Sequence, residues 1–244
     1  MKAIILAAGF GTRLKPLTEK TPKALLPVGG IPLIFYPLRL LQKEGFTEVV
    51  INLHHLGDLI EKELGDGRRW GIKISYSWEE EILGTGGGIK KSSALARETP
   101  LLVMNSDVLI DLSLRELMAF HRGHQCIATM AVKPRPSGSE FTWIEMAGER
   151  ITKISSGSPG AGSPEPKRSF YYTGVQILES PLIKYLPEGF SCLIKDGYQP
   201  ALRHKDNISG FVYQGYWNDL GTPERLQAAD QELSSGKVSL SFLK

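Results

Sequence analysis

Two glycines set directly behind a short apolar run give the strongest chemical signal in this chain. Leu6-Ala-Ala-Gly-Phe-Gly-Thr-Arg-Leu14 closes the run that begins at Ala3, and Pro22-Lys-Ala-Leu-Leu-Pro27 follows shortly after. Gly9 and Gly11 carry no side chain to hold a ligand off the backbone, so their N–H groups can reach phosphate oxygens. Arg13 and Lys23 add two cations to the same loop. A dinucleotide-binding G-x-G-x-x-G would need a third glycine where Leu14 stands and a helix directly behind it, which disfavours that reading. A surface turn with incidental basic residues is the plainer alternative. Asp107 lies three residues past the apolar Leu101–Met104 and reads either as a ligand-facing carboxylate or as a turn cap. In Leu83-Gly-Thr-Gly-Gly-Gly-Ile89 the glycines leave room for a flat base beside the Thr85 hydroxyl, or simply make a turn before a helix.

Taken together, Leu6–Arg13 and Pro22–Pro27 resemble the signature of the sugar-1-phosphate nucleotidyltransferases. The resemblance extends to Gly84–Gly88 as a base-recognition loop, to Asn105-Ser-Asp107, and to Trp217-Asn-Asp-Leu-Gly-Thr222. It implies an enzyme that joins a nucleoside triphosphate to a sugar 1-phosphate and releases pyrophosphate. As branch, it implies UTP with an N-acetylated sugar 1-phosphate first, and guanylyl transfer to mannose or heptose 1-phosphate as the alternative. A non-catalytic nucleotide-sugar sensor is the alternative from another class. Ala7, Ala8, Gly9, Gly11, Thr12, Arg13, Lys23, Thr85, Gly86 and Asn105 are then expected to bind nucleotide, with Arg13 and Lys23 catalytic. Asp107 and Asp219 are expected to hold Mg²⁺.

The chemistry asks for such parts on its own terms. A phosphate attacking an α-phosphoryl group brings two anions together and expels a third, so catalysis needs positive charge rather than a general base. Arg13 suits the departing phosphates through its planar fork, and Lys23 suits the point where the two phosphates meet. Mg²⁺ keeps several waters and takes one or two carboxylates plus phosphate oxygens, so two aspartates suffice. On the sugar side the chain departs from the family pattern: a Glu-Glu-Lys-Pro run is replaced by Ile151-Thr-Lys-Ile-Ser155. Lys153 is the nearest sugar-phosphate candidate, with Lys167 or Arg168 as alternatives, or all three as solvated charges. Tyr172-Thr-Gly174 fits the small-residue floor under the sugar, with Thr173 and Gly174 as contacts.

Several side chains with chemical potential read as ordinary packing. His121 and His124 sit three apart but lack a third zinc-type ligand. His54 and His55 read as loop residues, Tyr216 and Trp217 as core aromatics, and Cys126 and Cys192 as small apolar fillers.

The elements that must position these groups alternate. Strands are predicted at 3–7, 48–53, 72–77 and 101–104, and helices at 32–45, where Pro32 can open and Gly45 stop, at 56–64 and at 89–96. Such repeats imply right-handed crossovers and a parallel sheet. After Asp107 the pattern becomes mixed: a helix at 114–121, a strand at 127–132, a hairpin through 141–154, strands at 171–178 and 208–213, a helical stretch within 190–204 and a helix at 223–233. The expectation is an α/β fold, a Rossmann-like, mostly parallel mixed sheet flanked by helices, in one unit over 1–244, and the resemblance implies the GT-A-like form. Residues 1–110 would be the nucleotide half, 111–236 the sugar-phosphate half and 237–244 a tail. The Gly, Ser and Pro of 155–168 predict a mobile loop.

Composition agrees. At 244 residues and 41% apolar content the chain can bury a full core without metal or disulfide staples. Twenty-nine basic against 26 acidic residues give +3 with scattered charges, which argues against nucleic acid and membrane as partners. Two cysteines are too few for a disulfide framework, and no run approaches a membrane span; a cytoplasmic monomer or small homo-oligomer is expected.

Overall fold

The computed structural model describes residues 1–97, 99–135, 143–155 and 169–243. In chain order the strands and helices are β1 (Lys2–Leu6), β2 (Pro27–Val28), β3 (Ile31–Pro32), α1 (Phe35–Lys43), β4 (Glu48–Leu53), α2 (Gly57–Leu64), β5 (Lys73–Trp78) and α3 (Gly84–Ala96). There follow β6 (Leu101–Asn105), β7 (Val108–Ile110), α4 (Leu114–Gly123), β8 (Ala128–Pro134), β9 (Trp143–Ala147), β10 (Arg150–Ser155) and β11 (Phe170–Leu178). The chain closes with α5 (Ser180–Tyr185), a wide turn and α6 (Gln199–Arg203), β12 (Ile208–Val212), β13 (Trp217–Asp219) and α7 (Pro223–Ser234).

One nine-stranded sheet, ordered β5-β4-β1-β6-β11-β8-β12-β10-β9, runs through both halves. The β5-β4-β1-β6 portion is wholly parallel. Beyond it, β11 is antiparallel to both β6 and β8, β12 is parallel to β8, and β10 and β9 pair antiparallel. The predicted mostly parallel sheet therefore describes the first half, while the second is mostly antiparallel, with β8–β12 the one parallel pair there among the described residues. Strands covered on both faces read as unbroken apolar runs. In β1, Ala3 and Ile5 enter one core cluster and Ile4 the other, all fully buried.

Two expectations are corrected, and one strand is added that the residue pattern does not predict. Pro32 does not open α1: Ile31-Pro32 pairs with Pro27-Val28 across Gly29-Gly30, and the helix starts at Phe35. Both of those glycines have positive φ, 56° and 77°, so a tight turn competes successfully with Pro32 as a helix start. Gly84–Gly88 is not a loop ahead of α3 but its first turn. Each glycine there costs a helix about 1 kcal/mol relative to alanine, and close packing supplies the reason. A Cβ on Gly86 would fall 2.5 Å from Ser191 Oγ, and one on Gly87 2.1 Å from the Gly189 carbonyl. Finally, Trp217–Asp219 is a strand, paired antiparallel with β7 in a separate ribbon. The predicted mobile segment 155–168 lies outside the described residues apart from Ser155.

Candidate functional site

The C-terminal ends of β1, β4, β5 and β6 open onto one cavity of about 230 Å³. This is the edge where open α/β sheets bind ligands. Its walls include Ala7, Ala8 and Gly9 from β1's exit, Lys23, Thr85 and Asp107. A Cβ on Gly9 would meet nothing within 4 Å, so the missing side chain there leaves free space and answers no packing demand. Gly11 is different. Its φ of +62° and a built Cβ only 2.8 Å from Thr18 Cγ2 make glycine a structural need, and Thr18 Oγ1 donates to the Gly11 carbonyl at 2.9 Å. That turn delivers exposed Thr12 and Arg13 on a short helical turn, with Leu14 N–H returning to the Gly11 carbonyl.

Four hydrogen bonds, two of them buried and two partly buried, shape the far wall of this cavity. Asn52 Oδ1 accepts from Ala7 N–H at 2.8 Å, and Asn52 Nδ2 donates to Glu79 Oε1 at 2.7 Å. Glu79 Oε2 in turn accepts from Leu83 N–H at 2.8 Å, and the Glu79 carbonyl bonds His54. Asn52 and Glu79 are 3% exposed, and a Cβ on Gly88 would collide with both. Sequence reasoning missed this pair. The signal was available: Asn52 is a polar interruption near the end of an apolar strand, and Glu79 follows the last residue of β5.

Thr85 lines the cavity and is exposed, with its Oγ1 accepting from Leu193 N–H at 3.1 Å. Gly86 does not line it. It is buried, its N–H donates to the Ser191 carbonyl at 2.9 Å, and Ser191 N–H returns to Leu83 O at 2.9 Å. The glycine turn is thus sutured to segment 189–193.

Asp107 and Asp219 meet through the β7–β13 ribbon. Asp219 pairs with Val108, and Leu220 N–H donates to the Asp107 carbonyl at 3.0 Å. Lys23 Nζ forms an ion pair with Asp107 Oδ2. Asp219 Oδ2 lies 3.8 Å from Arg225 Nη1. Its Oδ1 is buried with no hydrogen-bond partner among the described residues. Burial first, then the neighbouring Asp107 charge, pushes the Asp219 carboxyl up, against the opposing pull of Lys23, Arg13 and Arg225. Gly221 makes room for Arg13: a Cβ there would sit 2.6 Å from Arg13 Nη2 and 2.9 Å from Asp219 Oδ1. An orphaned carboxylate oxygen beside a second carboxylate is the donor set a hard divalent cation takes. No group of three metal-ligating side chains forms among the described residues, so any such ion would draw its other ligands from phosphate and water.

A second cavity, about 160 Å³, shares Asn105 with the first and is lined also by Tyr172, Thr173, Gly174, Trp217 and Asp219. Gly174 has φ +86° at a register shift in β11, and a Cβ would fall 2.8 Å from Val108 Cγ2. Thr173 contributes backbone: its hydroxyl is buried and donates to the Ala131 carbonyl at 2.8 Å, and its own carbonyl accepts from Trp217 Nε1 at 2.7 Å. Lys153 lies apart. It pairs with Glu145 at 3.2 Å, sits over the Trp143 ring and lines a different cavity with Arg203. Lys167 and Arg168 fall outside the described residues. A wider concavity of about 870 Å³ behind α3 contains none of Arg13, Lys23, Asp107 and Asp219.

Comparison with known proteins shows the family. Residues 2–236 match the family model described as nucleotidyl transferase. The chain is 31% identical over 240 residues to mannose-1-phosphate guanylyltransferase of Mycobacterium tuberculosis, covering 96% of this chain and 65% of that protein. It is 34% identical over 235 residues to N-acetylmuramate alpha-1-phosphate uridylyltransferase of Neisseria meningitidis, covering 94% and 96%. A solved Bacillus anthracis protein assigned as a glucose-1-phosphate thymidylyltransferase superposes over 100% of this chain and 99% of its own, with a TM-score of 0.82 at 24% identity, a likeness of fold.

Proposed function

The chain belongs to the nucleotidyl transferase family, and from that premise we propose that it joins a nucleoside triphosphate to a sugar 1-phosphate, giving a nucleotide sugar and pyrophosphate. The observation that carries the reading is the convergence of Arg13, Lys23, Asp107 and Asp219 where the two cavities meet at Asn105.

The 230 Å³ cavity takes the base and ribose, and the 160 Å³ cavity the sugar. Backbone N–H groups at Gly9 and Gly11 and the exposed Arg13 fork receive the departing phosphates, where charge grows in the transition state. Lys23 stands where the α-phosphate and the sugar phosphate converge; its pairing with Asp107 holds it there before substrate arrives. The attacking oxygen belongs to an already ionised phosphate, so no side chain has to take its proton. Asp107 and Asp219 would hold Mg²⁺, which when bound supplies charge neutralisation and alignment of the phosphates. Gly174 shapes the floor of the sugar cavity, where Val108 and Asn105 pack against it too closely for a side chain.

Uridylyl transfer to an N-acetylated sugar 1-phosphate is the preferred branch, because the chain spans 96% of the neisserial uridylyltransferase. Guanylyl transfer to mannose or heptose 1-phosphate is the second reading, supported by 31% identity to the mycobacterial guanylyltransferase, of whose length the chain spans less than two thirds. The test is a grid of nucleoside triphosphates against sugar 1-phosphates read by pyrophosphate release. UTP with an N-acetylated sugar 1-phosphate is expected to lead; release with no combination, under Mg²⁺ or Mn²⁺, would favour a nucleotide-sugar sensor.

A further inference from the structure

At the C-terminal end of α4, four side chains gather that the proposed reaction does not use. Cys126 Sγ lies 3.4 Å from His121 Nδ1 and 3.2 Å from Thr129 Oγ1. His121 Nδ1 also lies 2.8 Å from Thr129 Oγ1, and its Nε2 faces Glu179 Oε1 at 3.4 Å. Thiol, imidazole and carboxylate line one cavity of about 390 Å³, together with Met1 and Arg122. That cavity shares no residue with the nucleotide or sugar cavity. We infer that Cys126 is a nucleophilic thiol, activated by His121 and oriented through Glu179, and that it is a modification site for small uncharged hydroperoxides.

The geometry separates this thiol from an inert core cysteine. A nucleophile within reach of a base, with the base oriented by a third group, is the general arrangement of an activated side chain. Burial alone would raise the Cys126 pKa, but bonds from His121, Thr129 and Ser209 and the imidazole charge outweigh it, and the thiol comes out below its ordinary value. On His121 burial pulls the other way, and the bonds and charges of Cys126 and Glu179 leave the imidazole above its ordinary value. Both directions favour the thiolate–imidazolium pair. The packed elements contribute polar or charged neighbours: Arg122 from α4, Thr129 from β8, Ser209 from β12 and Glu179 from the turn after β11.

The step balances within the cluster. Thiolate sulfur attacks one peroxide oxygen, an S–O bond forms and the O–O bond breaks. The departing hydroxide takes the His121 proton and leaves as water, so sulfur is oxidised by two electrons to a sulfenic acid while peroxide is reduced. The approach is concave and carries one charge of each sign, Arg122 and Glu179, so it suits small neutral hydrogen peroxide better than a bulky oxidant.

Cys192, free and half-buried, serves as the internal reference. Folded protein is treated with hydrogen peroxide and dimedone between pH 6 and 9, and each cysteine's adduct is measured by peptide mass spectrometry. Cys126 is expected to be labelled at least ~10-fold faster than Cys192 at pH 6.5, with a rate that levels off at a lower pH than that of Cys192, whereas an ordinary thiol gains nearly tenfold per pH unit below its pKa. Cys126→Ser should lose the label and keep the fold. Glu179→Gln, at the cavity margin, should steepen the Cys126 profile with its melting temperature near that of the parent. A Cys126 rate that climbs in parallel with Cys192, or label that appears only after unfolding, overturns the inference.

Discussion

Asp219 lies across a two-stranded ribbon from Val108, so that a carboxylate 112 positions later in the chain is set beside Asp107 by backbone pairing and by the Leu220 N–H bond to the Asp107 carbonyl. The ribbon belongs to neither half of the main sheet. It ties the end of β6, which carries the nucleotide side, to the segment before α7, and it explains how two acids can act at one point without a long loop between them.

Burial and that proximity together have a cost. The folded Asp219 carboxyl titrates above its ordinary value, by burial and then by the Asp107 charge. Because the folded state then binds a proton more tightly than the unfolded chain, stability falls as pH rises through the window between the two values, and the deficit persists above it. Asp219→Asn should therefore melt at the same or a higher temperature than the parent at pH 7, with the gain vanishing in acid below the unfolded carboxylate pKa. Scanning calorimetry at pH 3.5 and pH 7 checks this; a variant that melts lower at pH 7 would show Asp219 to be a stabilising turn residue.

Arg13 is exposed and touches the site from a short helical turn, so its loss should spare the fold. Arg13→Ala should reduce kcat/KM by at least ~100-fold, since removing one charge-stabilising donor commonly costs that much. Steady-state kinetics with a thermal melt as control decides it.

Gly221 gives a sharper version of the same test. A methyl group there would press on Arg13 Nη2 and Asp219 Oδ1 at once. Gly221→Ala should cut turnover at least tenfold while leaving KM for the nucleotide within a few-fold; normal kcat would mean that Arg13 works from another position.

Asn52 and Glu79 build the cavity wall through backbone N–H groups on both sides. Asn52→Leu strands the Ala7 N–H and half of the Glu79 carboxylate, a buried loss of about 1–3 kcal/mol. Lower stability together with a raised KM for the nucleoside triphosphate is expected by urea melts and kinetics; an effect on the sugar phosphate alone would contradict the assignment of this cavity.

How much of this was legible in the residues differs by element. β4 is predicted to the residue because Val49-Val50-Ile51 is an unbroken apolar run that Leu53 extends, and the Gly9–Arg13 turn because glycine and cation spacing survive any packing. The Gly84–Gly88 segment reads as a loop because glycine disfavours helix locally, whereas contacts with Ser191, Gly189, Asn52 and Glu79, more than 100 or about 10 to 40 positions distant, demand glycine inside the first turn of α3. Lys153 was reached by nearness in the chain, and its pairing with Glu145 shows how a basic residue can be engaged elsewhere. The β7–β13 ribbon is three residues long on each side, too short for periodicity to reveal.

The most direct measurement compares turnover by the parent, Asp107→Asn, Asp219→Asn and the double variant across a Mg²⁺ titration, using the leading substrate pair. If both carboxylates hold one ion, each single substitution should remove most activity and shift the Mg²⁺ requirement upward, and the double variant should be scarcely worse than either, as for groups acting as a unit. Losses that multiply, with an unchanged Mg²⁺ requirement in Asp219→Asn, would contradict the shared site.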